Sequence, residues 1–378
     1  MITQARAAHA SIVLDGKDYF SVLAPYFVSL TYEDNCDGKK ADDLQITLAD
    51  RDKRFISDWM PSKGAFLDAG IIAERWFMPF APGLKLDCGR FWIDSIEFEL
   101  PAHTVIVKAN SIPTNVRLKQ SIETRGWEET TLQDISNQIA GENKMTLDWQ
   151  SDHNPRYGRT EQHDESALSF LMKRADDAKL AIKVNRNKII IFDEQKLEDQ
   201  APKFTLLYGN AAGGGGGATY RMAGGTFTTT IMDKTKKAKV KHVNVETGET
   251  EQGEAEDSQS DEEGGDNDED VDQNVNVDTD AADTGGVSLA LRAEAGSAEQ
   301  WNAADTMKAK SIVRDKNKHK YLGKVEMSIG NPLVAAGMTM TLSGVGQYDG
   351  KWFIEQAHHE LGPEYKTELT IRRCLQGL

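Results

Sequence analysis

Leu44, Ile46 and Leu48 alternate with Gln45 and Thr47 along residues 43–50 of this chain. An apolar residue at every second position buries one face only if the backbone is extended, so the period specifies a half-buried strand. The same texture fills residues 10–110. Segments 11–16, 26–32, 91–100 and 103–111 are rich in Val, Ile, Thr and aromatics, and Asp15-Gly16, Asp37-Gly38 and Pro82-Gly83 supply turns between such runs. Strands at this spacing predict a barrel or a sandwich.

The period then changes. Leu132, Ile135 and Ile139 recur at helical spacing behind Thr131, with Asp134 three residues on as a variant capping signal and Gly141 as the expected stop. A second helix is predicted over 165–178, with Asp164 as its N-cap and Leu168, Leu171, Met172 and Ala175 as its apolar stripe. Residues 181–193 read as a hairpin turning at 185–187. Strand-like sequence returns at 203–245 and again at 320–375, where Asp349-Gly350 marks a hairpin turn, and a further helix is expected at 297–316. The predicted class is α+β, mainly β: a first β-barrel-like domain over 1–116, an α/β module over 117–202, and a second β-barrel-like domain built from 203–245 plus 317–378.

Between these last two pieces the composition is different. Glu246 to Asp283 holds seventeen Asp and Glu and no Lys or Arg, and the rest of the chain carries 44 basic against 43 acidic residues. The net charge of −16 therefore resides in one segment. Dense like charge with little apolar surface cannot offset the entropy of ordering, so 246–290 is expected to be a disordered acidic insert, followed by a helix within 291–316. An acidic balance also argues against nucleic acid as a partner. Three sparse cysteines, Cys36, Cys88 and Cys374, lack the spacing of a disulfide framework or a zinc site. The N-terminal residues show no secretory signal, and no apolar run is long enough for a membrane span, so no membrane insertion is expected.

Each local pattern that could carry chemistry fails on inspection. Gly213–Gly217 is followed by Ala218 where a phosphate loop needs Lys and Ser or Thr, and by strand-like rather than helical sequence. Asp266, Asp268, Asp270 and Asp272 alternate as in a calcium loop, but the two registers place Val271 and Val277, or Gln273 and Thr279, where Gly and Glu are required. His358 and His359 are neighbours in a strand and point to opposite faces, so they cannot share a metal. His153 and His163 lie among acids in a segment that reads as a loop leading to a helix cap. No nucleophile elbow is present, and Trp127, Trp149, Trp301 and Trp352 fit a core or an interface. No catalytic, cofactor-binding or metal residue is predicted, and no cofactor.

The order of segments carries more. Residues 41–55 with 61–67, 89–111, 118–140, 162–192, and 331–361 with 366–373 resemble, in that order, the segments of the late control gene D protein family of contractile-tailed phages. Trp127–Leu132 and Asp164–Leu171 are the closest elements, and the acidic insert departs from the family. The resemblance implies a baseplate hub similar in fold to the T-even central hub and the N-terminal part of VgrG spikes, not an enzyme.

Such a hub is a homotrimer in which two barrel-like domains per subunit alternate about the axis. It adapts a hexameric tail tube to a trimeric central spike and transmits force during contraction. The implied partners are the tail tube protein, the central spike protein, baseplate wedge proteins and the tape measure protein. The implied location is the virion tail baseplate, or an equivalent contractile particle, assembled in the host cytoplasm. Two alternatives remain. A VgrG-like secretion spike would carry a long C-terminal β-helix, of which the sequence shows no repeat. A peptidoglycan-degrading baseplate enzyme would need a clustered catalytic pair.

Overall fold

The computed structural model describes residues 5–374 apart from 15, 37, 39, 58, 61–63, 79–81, 114–116, 212–216, 231–236, 244–249, 257–274 and 279–317. The first β region comprises β1 (Ala7–Leu14), β2 (Lys17–Asp18), the single-turn α1 (Phe20–Leu23), β3 (Phe27–Asn35), β4 (Asp43–Ala49), β5 (Phe66–Glu74), β6 (Leu84–Glu99) and β7 (Thr104–Asn110). The strands form one antiparallel sheet in the order β3-β4-β7-β6-β5-β1-β2. Alternation works as the sequence reading expects: Leu44, Ile46 and Leu48 are buried, opposite Ala109, Val107 and Val105 of β7.

This sheet curls, but among the described residues no backbone ladder joins β1 to β3. The four-residue α1, too short to persist alone, lies across the gap. Its Phe20 ring sits 5.6 Å from His9 on β1 and 6.0 Å from Phe27 on β3. The first region is thus a curled sheet bridged by side chains, where the sequence suggests a barrel.

The α/β module contains α2 (Arg117–Gln120), β8 (Ile122–Thr131), α3 (Leu132–Glu142), β9 (Thr146–Gln150), β10 (Arg156–Ser166), α4 (Ala167–Asp177), β11 (Ala181–Asn185), β12 (Lys188–Phe192) and α5 (Glu194–Glu198). β8 pairs with β10 in a two-stranded ribbon, and β11, β12 and β9 form a small sheet. Leu132, Ile135 and Ile139 on α3 pack with Phe170, Leu171 and Ala175 on α4 in one core. Thr131 caps α3, accepting from the Asp134 N–H at 3.2 Å.

Three local expectations are corrected. Ser166, not Asp164, caps α4, accepting from the Ser169 N–H at 3.2 Å. Asp164 lies in β10 with φ +45° and accepts from the Thr124 hydroxyl. Gly141 lies inside α3, and the cap residue is Asn143. Residues 156–166 are a strand rather than a loop. Their buried residues are Tyr157, Thr160 and Gln162, which neither alternate strictly nor form an apolar stripe.

The second β region comprises β13 (Phe204–Leu207), β14 (Ala218–Thr229), β15 (Lys237–Val243), β16 (Thr250–Glu256), β17 (Val275–Asp278), β18 (Tyr321–Met327), β19 (Thr339–Ser343), β20 (Gly350–Leu361) and β21 (Tyr365–Arg373). β19, β13, β14, β18, β21 and β20 are hydrogen-bonded in that order, and β19 pairs back onto β20, so six strands close a barrel. Its interior holds Met222, Val325, Met340, Leu342, Trp352, Ile354, Leu369 and Ile371.

β20 belongs to both β regions. Gly350–Phe353 pair with β19, whereas Gln356–Leu361 pair with β3, with a register shift between Ile354 and Gln356. The two regions are therefore one continuous sheet of thirteen strands.

β15, β16 and β17 form a separate sheet. Residues 250–256 and 275–278 fall inside the segment expected to be disordered, and they are paired strands. The composition argument treated 246–290 in isolation, yet the strand before it is basic. The register sets Lys237 opposite Glu256 and Lys239 opposite Glu254. The remainder of 246–290 and the helix expected within 291–316 lie outside the described residues, apart from the strands just named.

Candidate functional site

Two clusters of buried charge join the α/β module to the β regions. In the first, Lys183 projects from β11, a strand whose Ala181, Ile182 and Val184 are all buried. Its ammonium pairs with Asp34 Oδ1, lies 3.0 Å from Asp42 Oδ1, and donates to the Asn35 carbonyl at 3.0 Å. Asn185 Nδ2 donates to Asp42 Oδ2 at 2.9 Å. Asp34 also accepts from the Ala336 N–H at 2.8 Å. One carboxylate at the end of β3 thus touches the module and the second β region together.

One ammonium faces two carboxylates here. Burial pushes the Asp42 carboxyl up, to about 6, against the pull of Lys183. Burial opposes the Lys183 charge, but Asp34 and Asp42 outweigh it and hold the ammonium above its ordinary range. The approach is close: a Cβ on Gly38, whose φ is +67°, would lie 2.9 Å from the Ala181 Cβ.

The second cluster surrounds Arg372 of β21, whose side chain is 0% exposed. Its guanidinium reaches Glu194 Oε2 at 3.0 Å, Glu355 Oε1 at 2.9 Å, and Glu198. It also lies 4.6 Å above the Phe353 ring. Glu194 and Glu198 are on α5, at the exit of the module, and Glu355 is at the irregular point of β20. Burial favours a neutral Glu355, yet His319 and Arg372 outweigh it and hold the carboxyl below its ordinary range. Three carboxylates held on a guanidinium are committed to ion pairs, an arrangement that fixes the angle between elements rather than moving protons.

The residues weighed from sequence scatter. His359 is fully buried between Tyr32 and Tyr365. Its Nε2 lies 3.1 Å from the Val334 carbonyl, to which it donates, leaving Nδ1 to accept from the Tyr365 hydroxyl at 2.9 Å. Burial lowers its pKa to about 4. His358 points the other way and lies 3.6 Å from Glu33. His163 is exposed beside Asp164, and His153 is exposed in the β9–β10 connection.

Trp127 stacks on Phe170, Trp149 donates to the Ser151 carbonyl, and Trp352 is a barrel-core residue. Cys36 and Cys88 are buried thiols, pushed up by burial. Asp266, Asp268, Asp270, Asp272, Gly213–Gly216 and Trp301 lie outside the described residues. Among the described residues no group of three or more His, Cys, Asp or Glu is placed to hold a metal ion, and no helix is long and apolar enough to cross a membrane.

Neither charge cluster is singled out by the sequence reading. The available signal was a cation inside a strand next to aliphatic residues: Lys183 between Ile182 and Val184, and Arg372 between Ile371 and a second arginine, Arg373.

No family model matches the sequence, and no curated protein matches it. Solved structures do match in fold. A tail protein from Neisseria meningitidis MC58 superposes with a TM-score of 0.64 at 10% identity, covering 97% of each chain. The 43 kDa tail protein of prophage MuSo2 from Shewanella oneidensis gives 0.63 at 10% identity, over 97% of this chain and 98% of that one. An E. coli component of the type VI secretion system, described as structurally similar to the T4 tail proteins gp27 and gp5, gives 0.50 at 9% identity, over 97% of this chain and 76% of that one. The two β regions, the module between them and their order in the chain thus make up a fold shared with phage tail proteins and a type VI secretion component.

Proposed function

We propose that the chain is a structural hub subunit of a contractile, phage-type tail baseplate. In this reading it adapts a hexameric tail tube to a trimeric central spike and transmits force during contraction. The observation that carries the proposal is the end-to-end fold match with two tail proteins. The architecture supports it: two β regions joined through one strand give each subunit two β wall segments, and three subunits would place six around an axis. The charge clusters at Lys183 and Arg372 suit a part that must keep its shape under load. The partners in this reading are two further copies of the chain, the tail tube protein, the central spike protein, wedge proteins and the tape measure protein, in a virion tail or an equivalent particle.

Native mass measurement of the purified protein, and a low-resolution map of the particle, test this reading. Three copies about the tail axis are expected; a lone monomer in the assembled particle is incompatible with it. The match to the type VI component supports a second reading as a secretion-spike subunit, which the presence or absence of tail sheath and tube in the purified particle separates from the first. Zymography tests the wall-degrading alternative, and clearing by the purified chain would overturn a purely structural role.

A further inference from the structure

The chain leaves the barrel at the end of β14 and re-enters it at the start of β18. The neck is closed by the Thr230 N–H donating to the Lys320 carbonyl at 2.9 Å, next to the Thr229–Tyr321 pair of the β14–β18 ladder. The two residues before the neck on the returning side reach carboxylates of the joint, Lys318 from a largely buried position and His319 from a half-exposed one. Lys318 Nζ lies 3.6 Å from Glu194 Oε2, with both side chains largely buried, and His319 Nε2 lies 3.1 Å from Glu355 Oε1.

These are the same two oxygens that hold Arg372. Glu194 Oε2 is shared between Lys318 and Arg372 Nη2, and Glu355 Oε1 is shared between His319 and Arg372 Nε. The return of the inserted segment is therefore tied to the carboxylates that fasten α5 of the module to β20 and β21 of the barrel.

We infer that Lys318 and His319 form a latch that couples the segment inserted between β14 and β18 to the joint between the α/β module and the second β region. The coupling follows from shared ligands. Withdrawing Lys318 and His319 removes one cationic or donor partner from each of Glu194 and Glu355, two of the three carboxylates that Arg372 contacts. By linkage, anything that grips the inserted segment and draws its returning end from the barrel loosens α5, and anything that loosens α5 frees that end. This inference stands on the geometry of the joint and holds whatever particle the chain serves.

Amide hydrogen exchange on the full chain tests it, read at Leu197 and Asp199, whose N–H groups donate to Asp193 and Gln195 within and behind α5. In a Lys318→Ala/His319→Ala variant these amides should exchange about tenfold faster or more, because the Lys318 ion pair and the His319 hydrogen bond both bear on the local opening equilibrium of α5. Exchange in α3 and at the centre of β20 should not change. Lys318→Arg/His319→Gln, which keeps a donor at each position, should restore protection. Unchanged exchange at α5, or a rise spread evenly over α3, β20 and α5, overturns the latch. Should the double alanine variant fail to fold, His319→Gln against His319→Ala at the same amides decides the matter, because the His319 side chain is 49% exposed and its loss opens no core.

Discussion

The two β regions solve the same problem, closing a curved sheet, by different means. The second closes with backbone: β19 pairs onto β20, and no single side chain holds the seam. The first leaves β1 and β3 unpaired and covers the gap with the aromatic contacts of α1. They also attach to the module differently. One guanidinium with three carboxylates fastens the second region, and one ammonium shared by two carboxylates fastens the first. Backbone closure makes the seam of the second region insensitive to any one side chain, whereas the seam of the first depends on side chains, and each joint depends on its buried cation.

The sharpest way to break this contrast is to remove the charge on which the second region depends. Arg372→Met should destabilise the chain by about 3–5 kcal/mol in denaturant unfolding, because three carboxylates lose their common partner in a buried site. A loss under 1 kcal/mol would mean that the cluster is solvated and does not hold the joint.

The next test sets two buried groups of the first region against each other. His359 binds its proton less well folded, at about 4, than unfolded, so its contribution to stability is complete above about 6.5 and is lost as pH falls towards 4. Asp42 has the opposite sign. Its folded value, raised to about 6, exceeds the unfolded one, so its penalty is absent at acid pH and grows as pH rises from about 4 to 6. The two contributions have opposite signs between pH 4 and 6 and offset each other in the wild-type profile. Asp42→Asn should expose a steep loss of stability on acidification, and His359→Gln the reverse slope. Parallel profiles for the two variants would refute the assignment.

Phe20→Ala should cost about 2 kcal/mol, less than a fully buried phenylalanine because the ring is half-buried. It should also speed amide exchange in β1 and the start of β3 while leaving β19 and β20 protected. Equal loosening of both regions would show that α1 does not close the gap. The smallest effects lie in the module between them. Ser166→Ala should cost about 1 kcal/mol as a lost helix cap, and Asp164→Ala within about 0.5 kcal/mol.

The strands of the first region and the helices of the module were legible because each buries one face against one core, and burial of that kind writes its period into the sequence. Legibility fails where an element has two covered faces or a polar one. Arg372 follows Ile371 in β21: Ile371 faces the barrel interior, while Arg372 faces α5, so both are buried and the alternation breaks. The ribbon strand β10 buries Tyr157, Thr160 and Gln162 and has no aliphatic stripe to read. The partners of Lys183, namely Asp34 and Asp42, are far from it in sequence, and nothing local marks acids that a distant lysine will neutralise. The resemblance led to a tail-protein fold, which the superpositions support, but neither charge cluster could be read from it.

The dual membership of β20 has a consequence for how the chain is made. β3 emerges early in synthesis, yet the strand that covers its edge ends at Leu361. Until β20 has been released, the first region can fold only around an open edge carrying unpaired donors and acceptors, the kind of template that invites pairing with another nascent chain. The twelve residues of β20 thus serve both units, covering the edge of β3 and, together with β21, closing the barrel, and a chain truncated before β20 would leave both units unfinished.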